Sequence, residues 1–350
     1  MSSSSHTVVL VTGGSGFLAS YCIIALLNAG FRVRTSIRSL SKSSSVKEAL
    51  KNGGLTDTDF DHLSFVEADL TKDEGWDKAV EGCTYMLHVA SPLLTYEPKH
   101  EDEVIIPARD GTLRVLKAAK RARVKRVVVT SSFTAIGYGH PQQTKPFTEE
   151  SWSNLEKTNL GAYVKSKVIS ERAAWDFVKS DEGAGLELTV VNPVAIFGPV
   201  LNTEIAASIH IVQRYLTGEM PGSPHLYMSV VDVRDVAALE VLAMTNPSAN
   251  GERFLAVSPP GGMMQEVALI LKSRLPEVSQ NVSTRVLPNI LVRIVGLFDK
   301  QVAGFVSELG KKKPSSNEKA VKILGWKPRS REETIVATAE SLLKFGLVKK

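Results

Sequence analysis

Short apolar runs alternate with amphipathic stretches along the first half of the chain. An apolar run of this kind predicts a buried strand, and an amphipathic stretch with helical spacing predicts a helix. The strands are predicted at residues 7–12, 31–37, 62–68, 84–89, 127–130 and 186–191, and the helices at residues 17–29, 104–123 and 160–178. Because alternating strands and helices build parallel sheets that helices cover on both faces, the pattern predicts a doubly wound α/β fold.

The alternation becomes less regular in the second half, where prolines and glycines are more frequent. Residues 230–243 predict the end of a strand that runs into a helix, and residues 253–257 predict a seventh strand. We expect the stretch near Val230 to return to the sheet, and the chain beyond residue 258 has the pattern of mixed helices. In the first half, the serine-rich residues 39–45 predict a loop.

The domain organisation follows from this change of pattern and from the length of 350 residues, which suggests about two domains. We predict a sheet domain over residues 1–192, with a returning segment near residues 228–257. The remainder of residues 193–350 is predicted to form a smaller, mostly helical lobe that does not fold independently.

The composition is that of an ordinary globular protein, with 43% hydrophobic and 23% charged residues. Neither of the two cysteines, Cys22 and Cys83, belongs to a CxxC pair or a cysteine–histidine cluster, so we expect no metal site and a reducing compartment, the cytoplasm. No run approaches the ~20 apolar residues that a membrane span needs, and the first residues lack the pattern of a secretory signal. We therefore expect no membrane association.

The net charge of +5 raises the question of a nucleic-acid partner. The densest basic stretch, residues 117–126, lies where a helix should end before a strand, and cations are favourable in the last turn of a helix. We therefore expect no nucleic-acid partner.

The first predicted strand ends in a glycine-rich loop with the spacing Gly13-x-x-Gly16-x-x-Ala19. Gly13 would allow a tight turn, Gly16 would let a pyrophosphate approach the backbone, and Ala19 would let the helix pack closely on the strand. The phosphates would then meet free N–H groups at the start of a helix. The context of strand, loop and helix predicts a Rossmann-type dinucleotide site. Its expected contacts are Gly13, Ser15, Gly16, Phe17 and Leu18.

The end of the second strand indicates which dinucleotide is bound. An acidic residue there would bind the ribose 2′-hydroxyl of NAD, but this chain has Arg38, with Lys42 shortly after it, and no acidic residue between Gly30 and Lys47. Because a cation can pair with a 2′-phosphate, the sequence favours NADP.

Two further strand ends belong to the same predicted edge of the sheet. Asp69 and Leu70 follow the third strand, and a carboxylate there can accept from the adenine amino group. Val89, Ala90 and Ser91 follow the fourth strand, and their small side chains leave room for ribose and pyrophosphate. In open α/β sheets, ligands bind in the crevice that such strand ends form.

A candidate catalytic group follows the fifth strand. Tyr163 and Lys167 are four residues apart and therefore share one helix face. An ammonium stabilises a neighbouring phenolate, which makes a phenol usable as a general acid for a carbonyl oxygen that receives a hydride. Lys167 can also bind the nicotinamide ribose. Ser132 would hold the substrate carbonyl, although its neighbour Ser131 could be the catalytic hydroxyl instead.

These motifs resemble the extended short-chain dehydrogenase/reductase family, and within it the dihydroflavonol 4-reductase-like group that includes microbial carbonyl reductases. The resemblance covers almost the whole chain and rests on residues 12–18, 69–70, 130–132, 163–167 and 192–193, and for the group on residues 88–92, 229–237 and 317–326. It implies an NADPH-dependent reductase of aldehydes or ketones with Ser132, Tyr163 and Lys167 as catalytic triad. Pro193 and Val194 would border the nicotinamide, and Ser131 would also contact the cofactor.

The resemblance leaves the substrate open, because residues 137–159 do not match the specificity region of the plant flavonoid enzymes residue by residue. The substrate walls are expected from Phe133, residues 197–207 and residues 215–228, which include Tyr215 and Tyr227. Since many of these residues are apolar, we expect a hydrophobic or aromatic small-molecule carbonyl compound.

Two other interpretations use the same fold. A nucleotide-sugar epimerase or dehydratase would hold NAD and would have an acid at the end of the second strand, where Arg38 stands. A catalytically silent NADP-sensing protein would be expected to lack Tyr163 or Lys167, but both are present. Either a monomer or a homodimer is compatible with the sequence.

Overall fold

The computed structural model describes residues 6–92, 98–156 and 160–348, with residues 300 and 301 described by their backbone alone. The strands are β1 (Val8–Thr12), β2 (Arg32–Ile37), β3 (Leu63–Glu67), β4 (Tyr85–His88), β5 (Arg126–Thr130), β6 (Glu187–Pro193), β7 (Ala195–Phe197), β8 (Tyr227–Met228), β9 (Val230–Asp232), β10 (Arg253–Ala256) and β11 (Gly262–Met263). The helices are α1 (Phe17–Asn28), α2 (Ser43–Asn52), α3 (Trp76–Val80), α4 (Asp102–Arg121), α5 (Ala162–Lys179), α6 (Ile209–Leu216), α7 (Val233–Thr245), α8 (Gln265–Arg274), α9 (Asn289–Val295), α10 (Lys300–Val306), α11 (Glu318–Leu324) and α12 (Arg331–Lys344).

Within the described ranges, seven parallel strands form the main sheet in the order β10-β6-β5-β4-β1-β2-β3. Successive residues of a strand point to opposite faces, so Val9 and Val11 pack in the cluster that includes α1 and α7, whereas Leu10 packs with α3 and α4. Helices therefore cover both faces, and the predicted Rossmann-type fold is confirmed. The strand order reverses at β1, which lies between β2 and β4, and this reversal opens a crevice at the carboxyl ends of the strands.

The chain after β6 leaves the main sheet and builds the helical lobe. Phe197, Tyr215, Leu271 and Ile335 are fully buried in one cluster in which α6, α8 and α12 meet. Among the described residues, none of the helices combines the length and the apolar character that crossing a membrane requires.

Two predicted segments differ from the structure. The stretch near Val230 does not join the main sheet, because β9 pairs with β7 in a separate two-stranded sheet and the returning strand is β10, which lies beside β6. Residues 39–45 are not a simple loop, since α2 begins at Ser43. This helix forms because Val46, Ala49 and Leu50, at helical spacing, bury one face of it.

Candidate functional site

The loop between β1 and α1 presents backbone donors at the crevice. Gly13 has a φ of 73°, which glycine adopts without strain, and its N–H donates to Ser36 Oγ at 3.1 Å. Gly16 precedes α1 with extended backbone, and no side chain in the described residues caps this helix. The first N–H groups of α1 are therefore free to bind a phosphate.

Neighbouring strands explain why this loop is rich in glycine. A Cβ atom on Gly14 would lie 2.1 Å from Oγ1 of Thr35 on β2, and a Cβ atom on Gly13 would lie 2.9 Å from Cβ of Ala90. Thr12 Oγ1 accepts the N–H of Ala90 at 3.0 Å, which fixes the end of β4 against the end of β1. The small side chains thus allow three strand ends to meet closely around the loop.

The predicted NADP-selecting residues lie at the ends of β2 and β3. Arg38 and Lys42 are both exposed, and Lys42 Nζ is 3.9 Å from the exposed carboxylate of Glu204. Burial alone would raise the pKa of Asp69, but hydrogen bonds from Thr71 and the charge of Arg38 together bring that pKa below its ordinary value. Arg38 and the Asp69 carboxylate therefore face one region, open to solvent, at the edge of the sheet.

His88 connects the loop to the interior of the molecule. Its Nδ1 lies 3.0 Å from Thr12 Oγ1, and burial, together with the charge of Lys167, lowers the pKa of His88 to about 3. The imidazole is therefore neutral at physiological pH, and His88 has a structural role beside the site.

Lys167 joins the candidate catalytic helix to the end of β4. Its side chain is buried, with 8% exposure, and its Nζ donates to Ser91 Oγ at 3.3 Å. The same Nζ is 5.9 Å from the centre of the Tyr163 ring, and Tyr163 is 46% exposed. An ammonium thus stands between a strand end of the nucleotide crevice and a phenol that solvent can reach.

The two serines at the end of β5 have different surroundings. Ser131 is buried and donates its hydroxyl to Glu171 Oε2. Ser132 is half-buried, its Oγ accepts the N–H of Thr134 at 3.1 Å, and its hydroxyl hydrogen has no acceptor in the part of the chain that the structure describes. Ser132 is therefore the hydroxyl that can donate to a ligand.

Pro193 and Val194 lie at the carboxyl end of β6, beside β5. Both are buried, and the Val194 N–H donates to the carbonyl of Ala256 on β10 at 3.1 Å. The remaining predicted contacts occupy the neighbouring strand ends. Ser15 and Phe17 are at least partly exposed in the loop and the first turn of α1, Leu18 and Leu70 are buried, and Val89 and Ala90 are half-buried.

The predicted substrate residues are not all brought to the crevice. Phe133 follows Ser132 directly and packs edge-on against the rings of Tyr138 and Phe147. Tyr227 is half-buried on β8. Tyr215, however, is fully buried inside the helical lobe, where its hydroxyl lies 2.6 Å from Ser223 Oγ. The amphipathic α6 turns Tyr215 into the core together with Ile209 and Val212, so Tyr215 forms no wall of the crevice.

Glu171 and Tyr138 lie near the site and were not predicted as site residues from the sequence, whereas Asn192 was predicted only as part of the motif at residues 192–193. The sequence does contain a signal for Glu171, because its spacing of four residues from Lys167 places it on the same helix face. Asn192 immediately precedes the predicted Pro193, and its amide donates to the Ser132 carbonyl at 3.3 Å. Within the described ranges, no group of His, Cys, Asp or Glu could hold a metal ion.

Comparison with known proteins shows a consistent set of relatives. A model of the NAD dependent epimerase/dehydratase family matches residues 9–256. Cinnamoyl-CoA reductase 1 of Arabidopsis thaliana is 36% identical over 272 residues, which are 77% of this chain and 75% of that protein. The crystal structure of yeast methylglyoxal/isovaleraldehyde reductase Gre2, complexed with NADPH, matches 97% of this chain and 99% of its own with a TM-score of 0.78 and 28% identity. Gre2 from Candida albicans, also in complex with NADPH, matches the same shares with a TM-score of 0.78 and 26% identity.

Proposed function

Because the chain belongs to the NAD dependent epimerase/dehydratase family, a family of extended short-chain dehydrogenases/reductases, we propose that it reduces an aldehyde or ketone to an alcohol. The protein is an oxidoreductase that uses NADP(H), as do the solved reductases that match almost its whole length. An epimerase of NAD type would need an acid at the end of β2, where Arg38 stands.

The crevice residues fit NADPH. The uncapped start of α1 supplies donors for the pyrophosphate, and the exposed Arg38 supplies a cation for the 2′-phosphate. Lys167 is held by Ser91 at the strand end that would face the ribose. Pro193 and Val194, buried at the end of β6, would border the nicotinamide. We assign the nucleotide to residues 1–192 with the segment near residues 228–257, and the substrate to the cleft that faces the helical lobe.

When bound, NADPH supplies a hydride to the carbonyl carbon of the substrate. Tyr163 transfers the proton of its hydroxyl to the carbonyl oxygen, so that its own O–H bond breaks as the O–H bond of the alcohol forms. The Lys167 ammonium stabilises the phenolate that remains, and a proton from solvent then restores the phenol. Ser132 donates a hydrogen bond to the carbonyl oxygen while negative charge develops on it.

The substrate class that we propose is a hydrophobic or aromatic aldehyde or ketone. Phe133 follows Ser132 directly and packs against the rings of Tyr138 and Phe147, and we propose the half-buried ring of Tyr227, on the lobe, as a further wall. The two cysteines are unpaired and buried, which supports the proposal that the enzyme works in the reducing cytoplasm.

The observation that carries this proposal is the placement of Lys167 Nζ, which bonds Ser91 and lies 5.9 Å from the Tyr163 ring. The test measures oxidation of NADPH by the purified enzyme with a panel of aldehydes and ketones. We expect turnover by the wild type and a loss of about 10²-fold or more in kcat for Tyr163→Phe, with NADPH affinity unchanged.

Tyr85→Phe is the matched control, because Tyr85 lies on β4 and its ring contacts only Lys125 among the aromatic and cation contacts of the described residues. This variant should keep the activity of the wild type. The proposal fails if no compound in the panel is reduced, or if Tyr163→Phe reduces as fast as the control.

A further inference from the structure

Glu171 is a buried carboxylate that the mechanism above does not use. It lies on α5 one turn beyond Lys167, and both side chains line one small cavity behind the strand ends. Residues 163, 167 and 171 are spaced by four, so they occupy one face of the helix. The carboxylate therefore belongs to the same helix face as the candidate acid and its ammonium.

The two oxygens of this carboxylate together accept four hydrogen bonds, three from residues in or next to the sheet and one from its own helix. Oε2 accepts from the Ser131 hydroxyl and, at 2.7 Å, from the Asn192 amide. Oε1 accepts from Arg253 Nε at 2.6 Å and from Trp175 Nε1 at 3.4 Å. One side chain thereby ties α5 to β10 and to the carboxyl ends of β5 and β6.

Burying the charges of Glu171 and Arg253 is costly, and such an ion pair is stable only when further hydrogen bonds satisfy both groups. The guanidinium also donates to the backbone carbonyls of Glu149 at 2.6 Å and Ser151 at 2.9 Å, and it stacks on the Trp152 ring at 3.9 Å. Because its partner is anchored in this way, the Glu171 carboxylate is held rigidly.

Hydrogen bonds through Asn192 link Glu171 to the half-buried Ser132. Asn192 gives one hydrogen bond to Glu171 and another to the Ser132 carbonyl at 3.3 Å. The Ser132 backbone is thus held from two sides, through Asn192 and through the adjacent Ser131. The direction of its hydroxyl relative to Tyr163 depends on this backbone.

We propose that Glu171 is a positioning residue that sets Ser132 against Tyr163 and Lys167 through Ser131 and Asn192. The proposal rests on the reductase function proposed above, since that function gives Ser132 its role. A purely structural ion pair would stabilise the fold without changing the rate per folded molecule.

The test compares Glu171→Gln with Glu187→Gln in the full-length enzyme. Glu187 is the matched control because it pairs with the buried Arg126 at 2.7 Å across the same two strands, β5 and β6, but at their amino ends. For Glu171→Gln we expect kcat to fall at least 10-fold with KM and NADPH affinity within about 3-fold of wild type. Glu187→Gln should lower Tm and leave kcat unchanged.

Hydrogen exchange gives a readout that needs no turnover. The Ser131 N–H donates to the Val191 carbonyl at 2.8 Å, and the Ala135 N–H donates to the Ser132 carbonyl at 2.9 Å. The exchange rates of these two amides therefore report how firmly residues 131–135 are held. Glu171→Gln should speed exchange across residues 131–135, and Glu187→Gln should not. If the wild type reduces nothing, the proposed function fails, and exchange alone decides whether Glu171 holds Ser132.

A second variant covers the case in which Glu171→Gln does not fold. Asn192→Ala keeps the ion pair with Arg253 and removes the link to Ser132, so it should lower kcat by a similar factor and speed the same exchange. The proposal is overturned if the folded Glu171→Gln or Asn192→Ala enzyme keeps the kcat of the wild type, or if exchange at residues 131–135 is unchanged.

Discussion

Replacing Arg38 by alanine should weaken NADPH binding and leave NADH binding nearly unchanged. Arg38 is exposed at the end of β2, and the chain has no acidic residue between Gly30 and Lys47. A hydrogen bond to a charged group contributes about 1.5–3 kcal/mol, or about 10- to 150-fold in Kd. Because the site is open to solvent and screened by salt, we expect the lower end, about 10-fold at physiological ionic strength.

The carboxylate of Asp69 should add to the loss of NADPH affinity in Arg38→Ala. Removing Arg38 withdraws one of the charges that lower the pKa of Asp69, but the hydrogen bonds from Thr71 and the charge of Lys72 remain, so Asp69 stays ionised at neutral pH. An uncompensated carboxylate near the 2′-phosphate is repulsive, whereas NADH has no phosphate there. The penalty is therefore specific to NADPH.

The assay is a titration of each protein with NADPH and with NADH by calorimetry. Arg32→Ala is the control, because Arg32 is an exposed arginine at the opposite, amino end of β2. We expect the ratio of the two Kd values to change about 10-fold for Arg38→Ala and to stay that of the wild type for Arg32→Ala. An unchanged ratio in Arg38→Ala would refute the assignment of this side chain to the 2′-phosphate.

Two further predictions concern stability. Gly14→Ala should destabilise the fold by about 1–3 kcal/mol in chemical denaturation, because the new Cβ would lie 2.1 Å from Thr35 Oγ1. Adding Thr35→Ala should recover part of this loss, and a Gly14→Ala protein as stable as the wild type would contradict the packing argument. Burial raises the pKa of Glu240 from 4.5 to about 8, so its contribution to stability is complete below pH ~4.5 and is lost as the pH rises to about 8, by up to about 1.4 kcal/mol per pH unit. Glu240→Gln should remove this part of the pH dependence, and an identical pH profile of Tm in both proteins would count against a buried, protonated Glu240.

Local pattern was sufficient for the part of the fold that forms the crevice. The apolar runs predict β1 to β6 to within about two residues at each end, because a strand covered on both faces must be apolar along its length. The Gly13 and Gly16 spacing predicts the turn between β1 and α1, because a tight turn directly after a strand needs residues without a side chain. Arg38, Tyr163 and Lys167 could be found in the same way, because each has a fixed offset from a strand end or from the other.

Contacts between distant segments decided which segment joins the main sheet and which side chains face the core or the site. Whether Val230 or Arg253 returns to the sheet depends on which edge strand is free to pair, and the apolar pattern of both segments is alike. The largely apolar side chain of Tyr215 would suit either a substrate wall or the hydrophobic core. The packing of α6 in the lobe decides between the two, because it turns Tyr215 into the core of the lobe. Ser131 and Ser132 are neighbours in the sequence, and they differ because a carboxylate 40 residues away takes the hydroxyl of one of them. The sequence determines local conformation through sterics and periodicity, whereas the partner of a buried polar group is decided only when the fold brings remote residues together.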